Sequence, residues 1–233
     1  ALLRDAGGGP DGLLPTFSTS ICPVCGAGHD GEPPERCHVC ENPLGGAHIT
    51  GNLYRIENVG TRPVERITAN DEERRRQGYD LQTTFTFKHA TDRRSRILEH
   101  AGEELLSATF APATLVRRIN RGLRRRRDLA NIGFIIDPKS GYWAGTNADS
   151  DGDGDSPLKT KQRITPVGED RKNALLVRFP AKWLAEAGMD AAAIVATIQH
   201  ALARGIEDVY QLEEGEILVE PTPSRGERNA LLF

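Results

Sequence analysis

Cys22-Pro-Val-Cys25 and Cys37-His-Val-Cys40 contain all four cysteines of the chain, in two CxxC motifs separated by eleven residues. A CxxC turn directs two thiolates at one centre from a single tight loop, so two such turns supply four soft ligands for one ion. This spacing is typical of a tetrahedral zinc site. The sequence therefore predicts zinc as a cofactor, bound by Cys22, Cys25, Cys37 and Cys40.

The predicted zinc site is expected to be structural, because a complete shell of four thiolates leaves no open position for a catalytic water. The alternative is two disulfides or buried free thiols. However, four cysteines in 233 residues do not make a disulfide scaffold. The sequence also shows no signal peptide or long apolar span. We therefore expect a cytoplasmic protein that makes no contact with a membrane.

The charges of the chain nearly balance, since 30 Lys and Arg against 33 Asp and Glu give a net charge of -3. Whole-chain charge therefore neither supports nor excludes a polyanionic partner, and any argument for nucleic acid depends on local clusters. The length allows one or two domains. We expect a piece of a longer protein, because the sequence begins at Ala1 and stops within the apolar run 230–233.

Apolar and polar residues alternate in several segments, which predicts strands. The predicted strands are 52–59, 81–87, 105–110, 133–137, 173–179, 209–212, 217–219 and 231–233. Helices are predicted from Asn70 and from Asp190 to Gly205. The predicted fold class is therefore α+β, with a mixed or antiparallel sheet, a few helices and an N-terminal four-cysteine zinc-knuckle module.

The predicted domain organisation has three parts. Residues 1–16 contain a Gly-rich stretch and form a flexible lead-in. Residues 17–47 form the zinc-knuckle module, and residues 48–233 form the α+β domain. Within that domain, residues 147–157 are acidic and low in complexity, which predicts a surface loop.

Arginine is concentrated in the segment 115–129, which the sequence predicts to be a basic amphipathic helix. At about 100° per residue the arginines share one face and the apolar residues gather opposite. Guanidinium groups donate paired hydrogen bonds to phosphate oxygens, so we expect this face to bind nucleic-acid backbone without reading bases. The predicted nucleic-acid-binding residues are Arg117, Arg118, Arg121, Arg124 and Arg125. A solvated face paired with carboxylates elsewhere is the alternative, and it stays open.

No catalytic motif can be read from the sequence. It contains no GxxxxGK[ST] phosphate loop, no GxSxG motif and no Ser/His/Asp signature. His29, His38 and His48 lie near the cysteines, but four thiolates already complete the shell, so we expect these histidines beside the ligands or at the surface. Whether the chain is an enzyme stays open, with a hydrolase or nuclease as a third alternative.

Several stretches outside the cysteines carry a family resemblance when they are taken in order. They are 53–59, 61–68, 71–79, 115–127, 133–137 with 141–143, 169–176, and 220–225 with 232–233. Over about residues 20–233 the chain resembles the helicase-associated zinc-binding domain that lies C-terminal to the motor of large superfamily 2 DNA helicases. That family includes helicases of the DISARM phage-defence system and of mitomycin repair.

The resemblance implies a zinc-stabilised accessory domain of an ATP-dependent DNA helicase or translocase, truncated at both ends, with the four cysteines as carried-over ligands. The implied partners are a helicase motor, in cis or in trans, and nucleic acid, which we expect to be DNA. The implied setting is phage defence or DNA repair. The resemblance supplies no DNA contacts, so the arginine assignment depends on spacing alone. The alternative function is a protein–protein docking scaffold for the motor or a partner subunit, without DNA contact.

Overall fold

A computed structural model describes residues 2–3, 12–44, 48–56, 59–60, 78–88, 92–124, 128, 130–139, 141, 161–187, 191–225 and 228–233. Within these residues the protein is α+β and consists mainly of strands. The strands are β1 Leu2–Leu3, β2 Phe17–Ile21, β3 Gly28–Asp30, β4 His48–Arg55, β5 Val59–Gly60, β6 Tyr79–Thr86, β7 Arg94–His100, β8 Glu103–Leu123, β9 Phe134–Ile136, β10 Gln162–Arg178, β11 Glu220–Thr222 and β12 Ala230–Leu232. The helices are α1 Ala181–Ala187 and α2 Ala191–Tyr210.

The chain forms two compact units, each made of three segments. Unit 1 comprises Ala1–Thr19, Ile49–Gln82 and Arg118–Glu169, and unit 2 comprises Ser20–His48, Thr83–Arg117 and Asp170–Phe233. Ten of the described strands belong to one mixed sheet, larger than expected, which confirms an α+β class with a mixed sheet and few helices. The four cysteines lie close together, while the zinc-knuckle module stays a prediction. The predicted boundaries at residues 16 and 47 stay a prediction.

Unit 1 is organised around the first half of β10. Its residues Thr165 to Val167 pair in parallel with β4, and its residues Gln162 to Ile164 pair antiparallel with β9. The backbone at Gly133, just before β9, has a φ of +85°, and a Cβ there would collide with the carbonyl of Ile164. Glycine is therefore required where β9 approaches β10.

Unit 2 contains the second half of β10, which pairs antiparallel with β12, and β12 pairs in turn with β11. The helix α2 presents Val195 to a buried apolar cluster that also contains Phe179 and Leu231. Ile198 and Leu202 pack against the same cluster, so the helix buries one apolar face. The hairpin of β7 and the first part of β8 also belongs to this unit.

Most of the predicted strands are confirmed. Segments 81–87, 133–137 and 231–233 correspond to β6, β9 and β12. Segment 105–110 lies inside the longer β8, and segment 173–179 covers the end of β10 and one residue beyond it. Segment 52–59 begins within β4 and runs on into residues outside the described part of the chain. Also outside it are the helix predicted from Asn70, the acidic segment 147–157 and residues 4–11 of the lead-in.

The predicted end of α2 at Gly205 is wrong, because the helix continues to Tyr210. Arg204 and Glu207 form an ion pair of 3.1 Å across Gly205, which supports the helical turn there. The left-handed residue that follows the helix is Gln211, with a φ of 55°. The strand predicted at 209–212 is therefore wrong, and so is that at 217–219, which precedes β11.

The basic helix predicted at 115–129 is wrong as well, because β8 extends through this segment to Leu123. Besides β7, its hairpin neighbour, the strand pairs with β6 and β10, so part of its backbone hydrogen bonds go to strands distant in sequence. β-branched residues such as Thr114, Val116 and Ile119 favour the extended chain. Long-range pairing thus overrides a local spacing of arginine and leucine that also fits a helix.

Candidate metal centre

The four cysteine sulfurs converge on one point. All four Sγ atoms lie within 4.8 Å of one another, and the pairs Cys22–Cys40 and Cys25–Cys37 are each 3.5 Å apart. No disulfide joins them. Four sulfurs at about 2.3 Å from a central zinc ion would be about 3.8 Å apart. The cysteines therefore stand close to the separation that a tetrahedral ion requires and could hold a metal ion.

The first knuckle is a tight turn closed by backbone hydrogen bonds. The amide of Gly26 donates to the carbonyl of Cys22 at 3.0 Å, and the amide of Cys22 donates to the carbonyl of Ala27 at 2.8 Å. Gly26 has a φ of +77°, and a Cβ there would collide with Thr222 Oγ1 and stand 3.1 Å from the Cα of Pro223. The position thus needs glycine for its backbone conformation and for space.

The second knuckle repeats this pattern. The amide of Glu41 donates to the carbonyl of Cys37 at 2.8 Å, and the amide of Cys37 donates to the carbonyl of Asn42 at 2.9 Å. Glu41 takes the place that Gly26 has in the first knuckle, with a φ of 59°. The amide of Val39 also donates to the Cys37 sulfur at 3.4 Å, which stabilises a thiolate at that position.

Threonine side chains from two strands fasten the first knuckle. Thr84 Oγ1 donates to the carbonyl of Gly26 at 2.7 Å and Thr86 Oγ1 to that of Gly28 at 2.9 Å. From β11, Thr222 Oγ1 donates to the carbonyl of Cys25 at 2.8 Å. Each hydroxyl thus donates a hydrogen bond to a backbone carbonyl in the turn or just after it. They position the metal centre, although the sequence analysis singled out none of them.

The cysteines are part of the apolar core of unit 2. Cys22, Cys25 and Cys37 are buried in one cluster with Leu176 of β10 and Leu232 of β12. Cys40 is partly buried and packs against the same cluster. A metal ion at this point would therefore be bonded to side chains that also fill the core between the strands.

The thiols of the cluster share their protons unequally. The pKa of Cys22 is lowered to about 6, chiefly because the Cys25 thiol donates a hydrogen bond to it. The pKa of Cys37 is lowered as well, chiefly through a hydrogen bond with Cys22. The pKa values of Cys25 and Cys40 are raised, in both cases chiefly because Cys22 accepts a hydrogen bond from them. These hydrogen bonds favour the thiolate at Cys22 and Cys37 and the protonated thiol at Cys25 and Cys40, and a bound cation would displace the remaining protons.

Two of the three nearby histidines have described side chains. His29 is buried, and it forms a hydrogen bond that lowers the pKa of Cys37. Its ring lies edge-to-face with the ring of the exposed His38, with 5.0 Å between the two centroids. His29 thus lies beside a ligand and His38 at the surface, as expected. The side chain of His48 lies outside the described part of the chain.

Arg117, expected on a phosphate-binding face, is buried and paired. Both of its terminal nitrogens donate hydrogen bonds of 2.6 Å, one to each carboxylate oxygen of Asp30 in β3. Its side chain is only 2% exposed. This bidentate pair links β8 to the strand that follows the first knuckle.

Arg121 is also engaged within the fold. Its Nη1 donates to Gln82 Oε1 at 2.9 Å, and its Nε lies 3.4 Å from Asp80 Oδ2. Arg124 is exposed and its Nε donates to the carbonyl of Tyr79 at 3.1 Å, while Arg118 is half-buried. Arg125 lies outside the described residues. The structure therefore places Arg117, Arg118 and Arg121 on β8 and Arg124 directly after it, and two of these four arginines form ion pairs within the fold.

Comparison of the chain with protein-family models, with curated protein sequences and with solved structures finds no match. In the described part of the chain, no helix is both long and apolar enough to cross a membrane. The cysteine centre and the surroundings of the arginines are therefore the features that bear on function.

Proposed function

We propose that this chain is a zinc-stabilised scaffold domain, which docks onto a helicase motor or a partner subunit without contacting DNA. The observation that carries the proposal is the engagement of Arg117 and Arg121 by Asp30 and Asp80. Guanidinium groups held by carboxylates inside the fold are not available to phosphate. Between nucleic-acid binding and docking, docking therefore has the better support.

Zinc is the ion that suits the four cysteines best. Four thiolates in a tetrahedral arrangement select zinc or an iron centre, and zinc is the usual occupant of two CxxC turns at this spacing. When bound, zinc would supply a redox-inert crosslink between the two knuckles, with no position open for a substrate. The free thiols suit a reducing compartment, so we place the protein in the cytoplasm.

A nucleic-acid-binding accessory domain is the second candidate. It is favoured by the exposure of Arg124 and the partial exposure of Arg118, together with the resemblance to helicase-associated domains. Among the described residues of this segment these two arginines are exposed or partly exposed, and two phosphate contacts alone would give weak binding with a shallow salt dependence. With either function the domain would take part in phage defence or DNA repair through its parent helicase.

The two candidates are distinguished by fluorescence anisotropy of the zinc-loaded protein with labelled single-stranded and duplex DNA across a salt series. The scaffold proposal predicts no salt-dependent binding at micromolar protein, and it predicts that a purified helicase motor of the resembling family binds the protein directly. DNA binding that Arg118→Glu with Arg124→Glu abolishes would contradict it. A protein that binds neither the motor nor DNA would contradict both proposed functions.

A further inference from the structure

An arginine from another part of unit 2 contacts the second knuckle. Arg93 directly precedes β7, and its Nη1 donates a hydrogen bond of 2.9 Å to the backbone carbonyl of His38. His38 lies between Cys37 and Cys40, the two cysteines of this knuckle. The hydrogen bond therefore reaches the stretch of backbone that carries two of the four metal ligands.

The guanidinium of Arg93 is itself held in place. Its Cζ lies over the ring of Phe87, which directly follows β6, at 5.7 Å from the ring centroid in a cation–π contact. The ring of Phe87 lies against that of Phe85, with 5.1 Å between the two centroids. Phe85 belongs to the buried cluster that contains the cysteines, and Phe87 packs against this cluster. The donor that reaches the second knuckle is therefore anchored on the same core as the metal ligands.

Local backbone hydrogen bonds set the internal shape of the second knuckle. The amides of Cys37, Glu41 and Leu44 donate to the carbonyls of Asn42, Cys37 and Glu35, respectively. These bonds join residues of the knuckle to one another, so they do not fix its position beside the first knuckle. Four sulfurs form a tetrahedral site only when both pairs are held in place. A contact that ties the second knuckle to a neighbouring element thus bears directly on metal binding.

We propose that Arg93 is a positioning residue of the metal centre. With its guanidinium held over Phe87, it fixes the His38 carbonyl and keeps the second pair of sulfurs in place beside the first pair. The inference rests on the proposed zinc binding, and it adds a residue that lies outside both CxxC motifs. Partners that orient the ligands contribute to metal affinity, because a ligand that is free to move must be ordered when the metal binds.

Competition for zinc with a chromophoric chelator, at constant pH, tests the inference. Arg93→Met removes both the donor and the cation–π contact, and is expected to weaken zinc binding about tenfold. Arg93→Lys keeps a donor and a cation without the planar fork, so we expect a loss of less than about threefold. The matched control is Arg96→Met, because Arg96 Nη1 donates to the Ser95 carbonyl of its own strand β7. This control is expected to change the affinity by less than about twofold.

Urea denaturation of the zinc-free proteins gives a second readout. We expect Arg93→Met to leave the urea midpoint of the zinc-free protein unchanged, whereas the loss of an arginine that merely stabilises the fold would lower it. Zinc affinity that Arg93→Met leaves unchanged would overturn the inference. A loss of affinity that Arg93→Lys shares in full, or a lower urea midpoint without zinc, would also overturn it. An unaltered protein that binds no zinc would contradict the proposed function as well.

Discussion

Arg117 of β8 and Asp30 of β3 form a bidentate pair, with two hydrogen bonds of 2.6 Å and only 2% of the arginine side chain exposed. Asp30 directly follows His29, which lies beside the cysteine Cys37. The pair therefore connects the longest strand of the sheet to the surroundings of the metal centre. An arginine that local spacing assigns to a nucleic-acid surface thus has a structural role.

The first prediction concerns the stability that this pair provides. Arg117→Met is expected to lower the free energy of unfolding by about 2–3 kcal/mol, less than for a fully buried pair because part of Asp30 meets water. Arg124→Met, at the exposed residue that directly follows the same strand, is expected to change it by less than about 0.5 kcal/mol. Urea denaturation of the zinc-loaded proteins measures both. Equal effects would show that Arg117 contributes no more than a surface arginine.

The second prediction concerns the two equivalent turn positions. Glu41→Gly relieves a left-handed backbone at a residue with a Cβ, and is expected to stabilise the protein by about 0.5–1 kcal/mol. Arg36 Nη1 donates to the backbone carbonyl of Glu41 at 3.2 Å, a contact that the substitution leaves in place. Gly26→Ala, its counterpart, is expected to destabilise by more than about 1 kcal/mol. Thermal unfolding of both variants measures these changes. The prediction requires Glu41→Gly to raise the stability and Gly26→Ala to lower it.

The third prediction concerns the hydroxyl of Thr222. Thr222→Val removes the buried hydrogen bond to the Cys25 carbonyl, and we expect a loss of about 1–3 kcal/mol because that carbonyl is left without this donor. The matched control is Thr197→Val, since the Thr197 hydroxyl donates to the Ala193 carbonyl on the exposed surface of α2. The control should change stability by less than about 0.5 kcal/mol. Comparable losses in the two variants would rule out a special role for Thr222.

The fourth prediction concerns pH. Between pH 7 and 8 the raised pKa values of Cys25 and Cys40 keep two protons on the cluster, and a bound ion must displace them. Metal affinity is therefore expected to fall about 100-fold for each unit that the pH decreases. Below about pH 6 the Cys22 thiolate is protonated too, and a third proton makes the dependence steeper. Competition with a chromophoric chelator measures this slope. A slope that corresponds to four displaced protons at pH 7 would contradict the prediction. It would mean that all four thiols are protonated, as in an unfolded chain.

The sequence predicts those parts of the fold whose signal is local. The two CxxC motifs suffice to predict that the four cysteines lie close together. The alternation of apolar and polar residues suffices to predict β6 and β12. The segment around Arg117 fits a helix or a strand equally well, and only its partners in distant strands decide between them. The donor of the Cys25 carbonyl, Thr222, lies 197 residues away along the chain, and the left-handed turn at Glu41 has no compositional signal. Neither could be predicted from a single sequence.

The most direct test of the central claim, that a zinc ion at the four cysteines stabilises the core of unit 2, is hydrogen exchange with and without zinc. The account predicts that chelation abolishes protection at the cysteine turns and also in β12 and the second half of β10, whose leucines share the cysteine cluster. Loss of protection confined to residues 22–40, or a purified protein that binds no zinc, would contradict it.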